Sequence, residues 1–191
     1  LFYNFISQDN KNTFALIDSE KIQKKAKIKV GIQAGHWQND QLPDEFLNLR
    51  AYGGGVTYRE LEEWEVNYNI GKKLQTILVE VGFEAELLPA TIPEGYEADA
   101  FIALHADGND YSYVNGFKMA SSVFDQTNQA DKLADEIEKY YQTKTQLKKD
   151  LNITKDMTHY YAFNYQKFTH SVSSKTPAVI IELGFLTNAH D

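Results

Sequence analysis

The chain has 191 residues, 42% of them hydrophobic and 24% charged, enough for one ordinary domain with a sizeable core. Its net charge of −8 argues against a nucleic-acid partner, because phosphate binding needs a basic face. It has no cysteine, which excludes disulfides, thiolate nucleophiles and Cys-ligated zinc and leaves His and carboxylates as metal ligands.

No apolar run approaches the roughly 20 residues of a membrane span. No signal peptide is visible, and the chain starts without Met at Leu1-Phe2-Tyr3, as a processed or trimmed chain does. Residues 1–26 read as an N-terminal arm or linker. Thr13–Ile17 within it has the composition of a short strand. Lys21, Lys24, Lys25 and Lys27 form a basic run, read as a solvated face.

Lys29–His36 then reads as a buried strand running into a small-residue turn. Val30 and Ile32 are β-branched, and Ala34 and Gly35 allow close backbone approach. The strand delivers His36 to its carboxyl end, the edge where open α/β sheets bind ligands. A polar loop follows, ending in Gly53-Gly54-Gly55, a hinge signal beside the histidine.

Thr57 and Glu60 form a T-x-x-E capping box, so the spacing predicts a helix from there to about Glu80. Its apolar stripe is Val66, Ile70, Leu74, Ile77, Leu78 and Val81. At about 100° per residue, Glu63 falls near the middle of that stripe, whereas Glu65 falls nearly opposite. An inward carboxylate at a helix start must be paired, capped or bound to a metal. Phe83–Leu88 reads as a second strand. Ala100–Leu104 is a continuous apolar run, as expected of a strand buried on both faces, and it ends in His105. Either histidine alone reads as a satisfied structural residue. Two that end buried strands, beside an inward glutamate, point to a site.

A strand is expected at Phe117–Ala120, a second helix from Asp125 to about Tyr141, and a loop over 142–152. Met157–Phe163 is aromatic and contains His159, and His170 follows Phe168; both histidines read as surface or stacking residues. Pro177–Leu186 is a strongly apolar strand with Glu182 inside it. A lone buried Glu costs several kcal/mol unless paired or protonated. Burial raises its pKa towards the range useful for acid–base work. Arg50 and Arg59 are the only arginines, so a lysine is the remaining cationic partner.

Two histidines and a carboxylate make a common catalytic zinc set, and a nearby glutamate suits activation of a water and protonation of a leaving amine. The local sequences strengthen this. Gln33-Ala34-Gly35-His36 resembles the strand-end D-A-G-H motif of zinc-dependent N-acetylmuramoyl-L-alanine amidases. Glu63-Trp64-Glu65-Val66-Asn67 resembles that family's E-x-x-x-N helix start. Ala103-Leu104-His105-Ala106-Asp107 resembles its S-x-H-A-N strand end. Pro177 to Asn188 is similar to its last and most specific motif. The four occur in the family's order, over roughly residues 27–191.

The resemblance implies one α/β domain over 27–191, three-layered, with a mostly parallel mixed central sheet flanked by helices, phosphorylase/hydrolase-like. It implies one Zn2+ per chain held by His36, Glu63 and His105, with Glu182 as the catalytic carboxylate. The implied reaction is hydrolysis of the amide between the lactyl group of N-acetylmuramic acid and the L-alanine of the stem peptide in peptidoglycan. The implied partner is a glycan strand with its stem peptide, met outside the cytoplasm by a monomer. Three features depart from the pattern. Gln33 stands where the family often has Asp, which alters the hydrogen bond expected at His36. The usual Thr-Arg turn after Leu88 is missing. The chain stops at Asp191, where the family usually continues into a closing helix. Two other readings are a zinc peptidase or other amidase on a related fold, and a non-catalytic wall-binding domain. The latter would be expected to lose a ligand or Glu182.

Overall fold

A computed structural model describes residues 27–191. The N-terminal arm of residues 1–26, with its expected strand at Thr13–Ile17, lies outside the described residues.

The frame is a five-stranded sheet. Its strands are β1 (Lys29–Ala34), β4 (Glu84–Leu88), β5 (Ala100–Asp107), β6 (Lys118–Ser121) and β7 (Ala178–Phe185), in the order β4-β1-β5-β7-β6. The first four in that order run parallel; β6 pairs antiparallel with β7 at the edge. The apolar run of β5 has a simple cause. It is the middle strand, and both its faces are covered. On one face Ile32, Leu104, Val179 and Ile181 pack with Leu74, Leu78, Leu133 and Ile137 of two helices, α1 (Glu63–Glu80) and α2 (Ala130–Thr145). On the other, Phe101, Ala103 and Ile180 pack beneath Tyr160, Phe163 and Val172. These belong to an irregular segment carrying the one-turn helix α3 (Lys155–Thr158) and a 3-10 turn at Tyr161–Phe163. Each large apolar side chain so buried contributes about 1.5–3 kcal/mol.

The structure moves several expected boundaries. Thr57 and Glu60 do not cap α1. The chain reverses at Arg59, which adopts a left-handed φ of 57°, and Thr57–Tyr58 (β2) pairs antiparallel with Leu61–Glu62 (β3). The first amides of α1 are satisfied by backbone instead: Glu63 N–H donates to the Val56 carbonyl at 2.9 Å and Trp64 N–H to Gly54 at 3.1 Å. The helix is also turned relative to the expected stripe. Its inward line is Glu63, Asn67, Gly71, Leu74 and Leu78, while Ile70, Ile77 and Val81 are exposed. That is a rotation of roughly 45° at 100° per residue. It keeps Glu63 inward.

The α2 helix begins later and ends later than its pattern suggests. Residues 125–129 form a turn in which the Asp125 carboxylate accepts from the amides of Thr127, Gln129 and Ala130. The helix then runs past Tyr141 to Thr145 and stops where Gln146 turns left-handed. The β5 strand likewise does not end at His105 but continues to Asp107, with a register shift between the two.

Candidate metal centre

Three elements bring one side chain each to the carboxyl edge of the sheet. His36 follows β1 in a left-handed conformation, φ 63°, uncommon for a residue with a β-carbon. Glu63 opens α1. His105 lies inside β5. One ligand atom from each falls within 4.8 Å of the other two. His36 Nε2 stands 3.5 Å from Glu63 Oε2, and His105 Nδ1 stands 3.0 Å from Glu63 Oε1. Glu63 and His105 are buried; His36 is partly open.

The cradle is built for this arrangement. A β-carbon at Gly35 would overlap the His105 ring, and one at Gly55 would overlap Glu63 Oε2 and crowd His36. Gly55 also has φ +82°, which glycine alone adopts freely. Gly54 lies against Trp64 and Glu62. The glycine run expected as a hinge is therefore, in two of its three positions, a place of close approach. The Glu63 carboxylate is held firmly. It accepts from the amides of Val56 at 2.9 Å and Ala106 at 3.2 Å, and from the Asn67 side chain at 3.3 Å. Asn67 also donates to the Gly35 carbonyl at 3.1 Å.

Electrostatics follow from this packing. Burial works against the Glu63 charge, but the hydrogen bond and charge of His105, then His36, outweigh it and hold its pKa down to about 2. Burial lowers the pKa of His36. Burial also opposes charge on His105, yet Glu63 and Glu182 raise its pKa overall. A buried carboxylate faced by two imidazole nitrogens is a donor set of the kind that suits zinc.

Glu182 sits directly opposite His105 in the neighbouring parallel strand, so both side chains leave the same face of the sheet. Burial is the main cause that pushes its carboxyl up to about 7, with His105 and Lys118 pulling the other way. Lys118 is its register partner on β6. The Lys118 ammonium, however, pairs with Asp107 and lies 3.7 Å from Asp150. The lysine left open by the sequence thus neighbours Glu182 without an ion pair to it among the described residues.

A cavity of about 590 Å³ opens over the two histidines, with Tyr52, His159, Tyr160 and Lys167 in its walls. His159 is at its rim. His170 is elsewhere: its Nδ1 meets Glu45 Oε1 at 2.7 Å, and Glu45 also accepts from the amides of Thr169 and His170, tying the segment Asp44–Tyr52 to the aromatic stretch. Gln33 is fully buried. Its amide donates to the Ala90 carbonyl at 2.7 Å and the Tyr161 hydroxyl at 3.2 Å, and no bond to His36 is formed among the described residues. Sequence reasoning missed Tyr160 as a site residue. Its hydroxyl stands 2.9 Å from His105 Nε2, a long-range contact that no local pattern announces.

A family profile described as N-acetylmuramoyl-L-alanine amidase matches residues 30–191. Curated proteins give no match. Among solved structures, the chain is similar to the catalytic domain of CwlV, an N-acetylmuramoyl-L-alanine amidase from Bacillus (Paenibacillus) polymyxa var. colistinus, with 22% identity, TM-score 0.56, and 86% of this chain and 84% of that one covered. It is similar to the N-acetylmuramoyl-L-alanine amidase AmiC2 of Nostoc punctiforme, with 19% identity, TM-score 0.56, and 86% and 83% covered. It is also similar to the apo form of the N-acetylmuramyl-L-alanine amidase Ami1 from Mycobacterium abscessus, with 18% identity, TM-score 0.56, and 87% of each chain covered. At these identities the likeness is one of fold.

Proposed function

The chain belongs to the N-acetylmuramoyl-L-alanine amidase family, and from that premise we propose that it cuts the amide between the lactyl group of N-acetylmuramic acid and L-alanine with one zinc ion held by His36, Glu63 and His105. The convergence of His36 Nε2, Glu63 and His105 Nδ1 supports this reading above all. Bound zinc would polarise the scissile carbonyl and lower the pKa of a water.

The chain's own residues supply the rest. Glu63 is held anionic down to low pH and would bring to the metal a negative charge that imidazole ligands lack. Glu182 has the position and the raised pKa of a general base that takes a proton from the attacking water. It then returns that proton to the departing L-alanine amine. The cavity over the histidines is where the scissile amide would enter. The protein would act as a monomer on peptidoglycan outside the cytoplasm, as a secreted bacterial hydrolase. No helix among the described residues is long and apolar enough to cross a membrane.

Digestion of purified peptidoglycan tests the reading. An amidase releases intact stem peptides with new L-alanine amino termini and creates no new reducing sugars. Stem peptides that are cut internally, or that stay on the glycan, would sink it.

A further inference from the structure

The two halves of the scissile amide go different ways. The lactyl carbonyl stays with the sugar, and the nitrogen leaves with L-alanine. The sheet gives the site a matching direction. Its strands run β1, β5, β7, so His36 stands on one side of His105 and Glu182 on the other. Glu182 must reach the nitrogen to return its proton. The nitrogen half therefore lies towards β7, and the carbonyl half, with the sugar behind it, lies towards His36.

A second pocket, of about 350 Å³, opens on that side. It shares His36 and Asn39 with the larger cavity, so the two meet at the candidate metal ligand. Every residue that lines it lies between the end of β1 and the first turn of α1, and none comes from β5 or β7. Its volume is that of a small-molecule site, about 300–1,000 Å³.

Its walls match the chemistry of a sugar ring, which offers an apolar C–H face and a rim of hydroxyl and acetamido groups. The only two tryptophans of the chain, Trp37 and Trp64, line it, and both are partly open. Large aromatic faces cover apolar area at low entropic cost when they are already held in place. Both are held. Trp37 stands between two left-handed residues, His36 with φ 63° and Gln38 with φ 58°, and its ring packs on Tyr68 at 4.7 Å. Trp64 donates its indole N–H to Glu62, and a β-carbon on Gly54 would lie 2.7 Å from Trp64 Cδ1, so the loop fits closely against the ring.

Polar groups complete the pocket. Arg50 donates from Nε to the Leu42 carbonyl at 2.8 Å and from Nη2 to Asp44 at 3.1 Å. These bonds fix the guanidinium and leave Nη1 with no partner among the described residues. Asp40 is exposed. An arginine N–H can donate to an acetamido carbonyl, and a carboxylate can accept from a sugar hydroxyl.

We propose that the Trp37–Trp64 pocket is the sugar subsite, which seats an N-acetylated ring of the glycan strand on the carbonyl side of the cut. The proposal rests on the amidase reading above, which sets the half of the amide that faces Glu182.

Because the chain has no other tryptophan, indole fluorescence reports on this pocket alone. The probes are a tetramer of N-acetylglucosamine, which has the acetamido sugar and no carboxylate, and a free stem peptide. Each is titrated into zinc-loaded wild type, so no variant has to fold. The sugar should give a saturable change at a lower concentration than any change the peptide gives. No saturable change with the sugar, or a peptide response at equal or lower concentration, overturns the proposal. The second measurement is kinetic, on a soluble tetrasaccharide that bears stem peptides. Trp64→Leu should raise KM about tenfold, as loss of an aromatic anchor does, and lower kcat by a smaller factor, the signature of lost ground-state binding. A KM that does not rise, or a kcat that falls by as large a factor, overturns the sugar subsite and leaves the amidase reading intact. Wild-type protein that releases no peptide with a new L-alanine amino terminus overturns both.

Discussion

Gly35 and His105 share one space. A β-carbon on Gly35 would overlap the His105 ring, and even the farthest of the three ring atoms it meets would lie 2.7 Å away. The glycine that follows β1 is therefore set by a histidine of the neighbouring strand β5, distant in the chain but adjacent in the sheet. Gly35→Ala must displace the ring or the backbone. Overpacking of this kind costs about 1–3 kcal/mol, and here it also moves Nδ1 away from Glu63. Urea unfolding should show the loss of stability, and metal analysis should show substoichiometric zinc. Full zinc at unchanged stability would mean the ring has room that the packing denies.

Glu182 carries two linked expectations. Glu182→Gln should keep zinc, because Glu182 is not among the three converging groups, and should lose at least 100-fold in turnover, the low end of what a positioned acid–base contributes. Normal wall hydrolysis by this variant would remove Glu182 from the mechanism. The second expectation concerns stability of the metal-free protein. Burial raises the folded-state pKa to about 7, above the unfolded value of about 4.3. Below the unfolded value both states are protonated and nothing is lost. As pH rises above the unfolded value and through 7 the unfolded state is increasingly favoured, by up to roughly 4 kcal/mol. Glu182→Gln, which does not ionise, should therefore match the wild type near pH 4 and exceed it near pH 8 in denaturant midpoint. An equal difference at both pH values would refute the raised pKa.

Much of this was legible in the sequence, and the reason is directional. The β strands announce themselves because burial on two faces leaves unbroken apolar runs, as in Ala100–Leu104 and Ala178–Ile181. Residues at or near their carboxyl ends are then placed by the fold itself, which is why His36 and His105 could be singled out, while Glu182 stood out as a lone carboxylate inside an apolar strand. Glu63 was found through a helical stripe that proved rotated, yet the rotation left it inside. The helix starts were less legible. Thr57 reads as a cap and Asp125 as a helix start, but Thr57 is used by a strand pair, and Asp125 closes a turn five residues before α2 begins. Backbone partners such as the Val56 and Gly54 carbonyls leave no mark in composition. Tyr160 was hidden for the same reason. Its meaning comes from a partner 55 residues away.

Asn67 joins two parts of the site. Its side-chain amide donates to the Gly35 carbonyl at 3.1 Å and to Glu63 Oε1 at 3.3 Å, and it is fully buried. Asn67→Ala leaves a buried carbonyl without its side-chain donor and removes one of the contacts to Glu63 Oε1, which keeps those to the Ala106 amide and His105. The expected cost is about 1–3 kcal/mol of stability, with zinc affinity reduced because Glu63 loses an orienting contact. Chelator competition and urea unfolding on the same preparation would check both. A variant that loses stability but keeps wild-type zinc affinity would confine Asn67 to the fold.

Lys118 sets the charge balance beside β7, the strand that carries Glu182. It is buried, pairs with Asp107, lies 3.7 Å from Asp150 and is the register partner of Glu182. Lys118→Met keeps the aliphatic length and removes the cation, leaving two carboxylates without it. Breaking a buried pair this way costs about 3–5 kcal/mol; the low end is expected because the Asp107 side chain is 25% exposed. The same change should act on Glu182. Lys118 pulls the Glu182 pKa down, so its removal leaves burial, Glu63 and Asp107 to push the carboxyl further above 7. Carbon-13 NMR of the Glu182 carboxyl in metal-free protein would read this directly. The titration midpoint should rise in Lys118→Met. A fall, or no change, would mean that the ammonium is fully neutralised by Asp107 and Asp150 and that Glu182 is tuned by burial and its other neighbours alone.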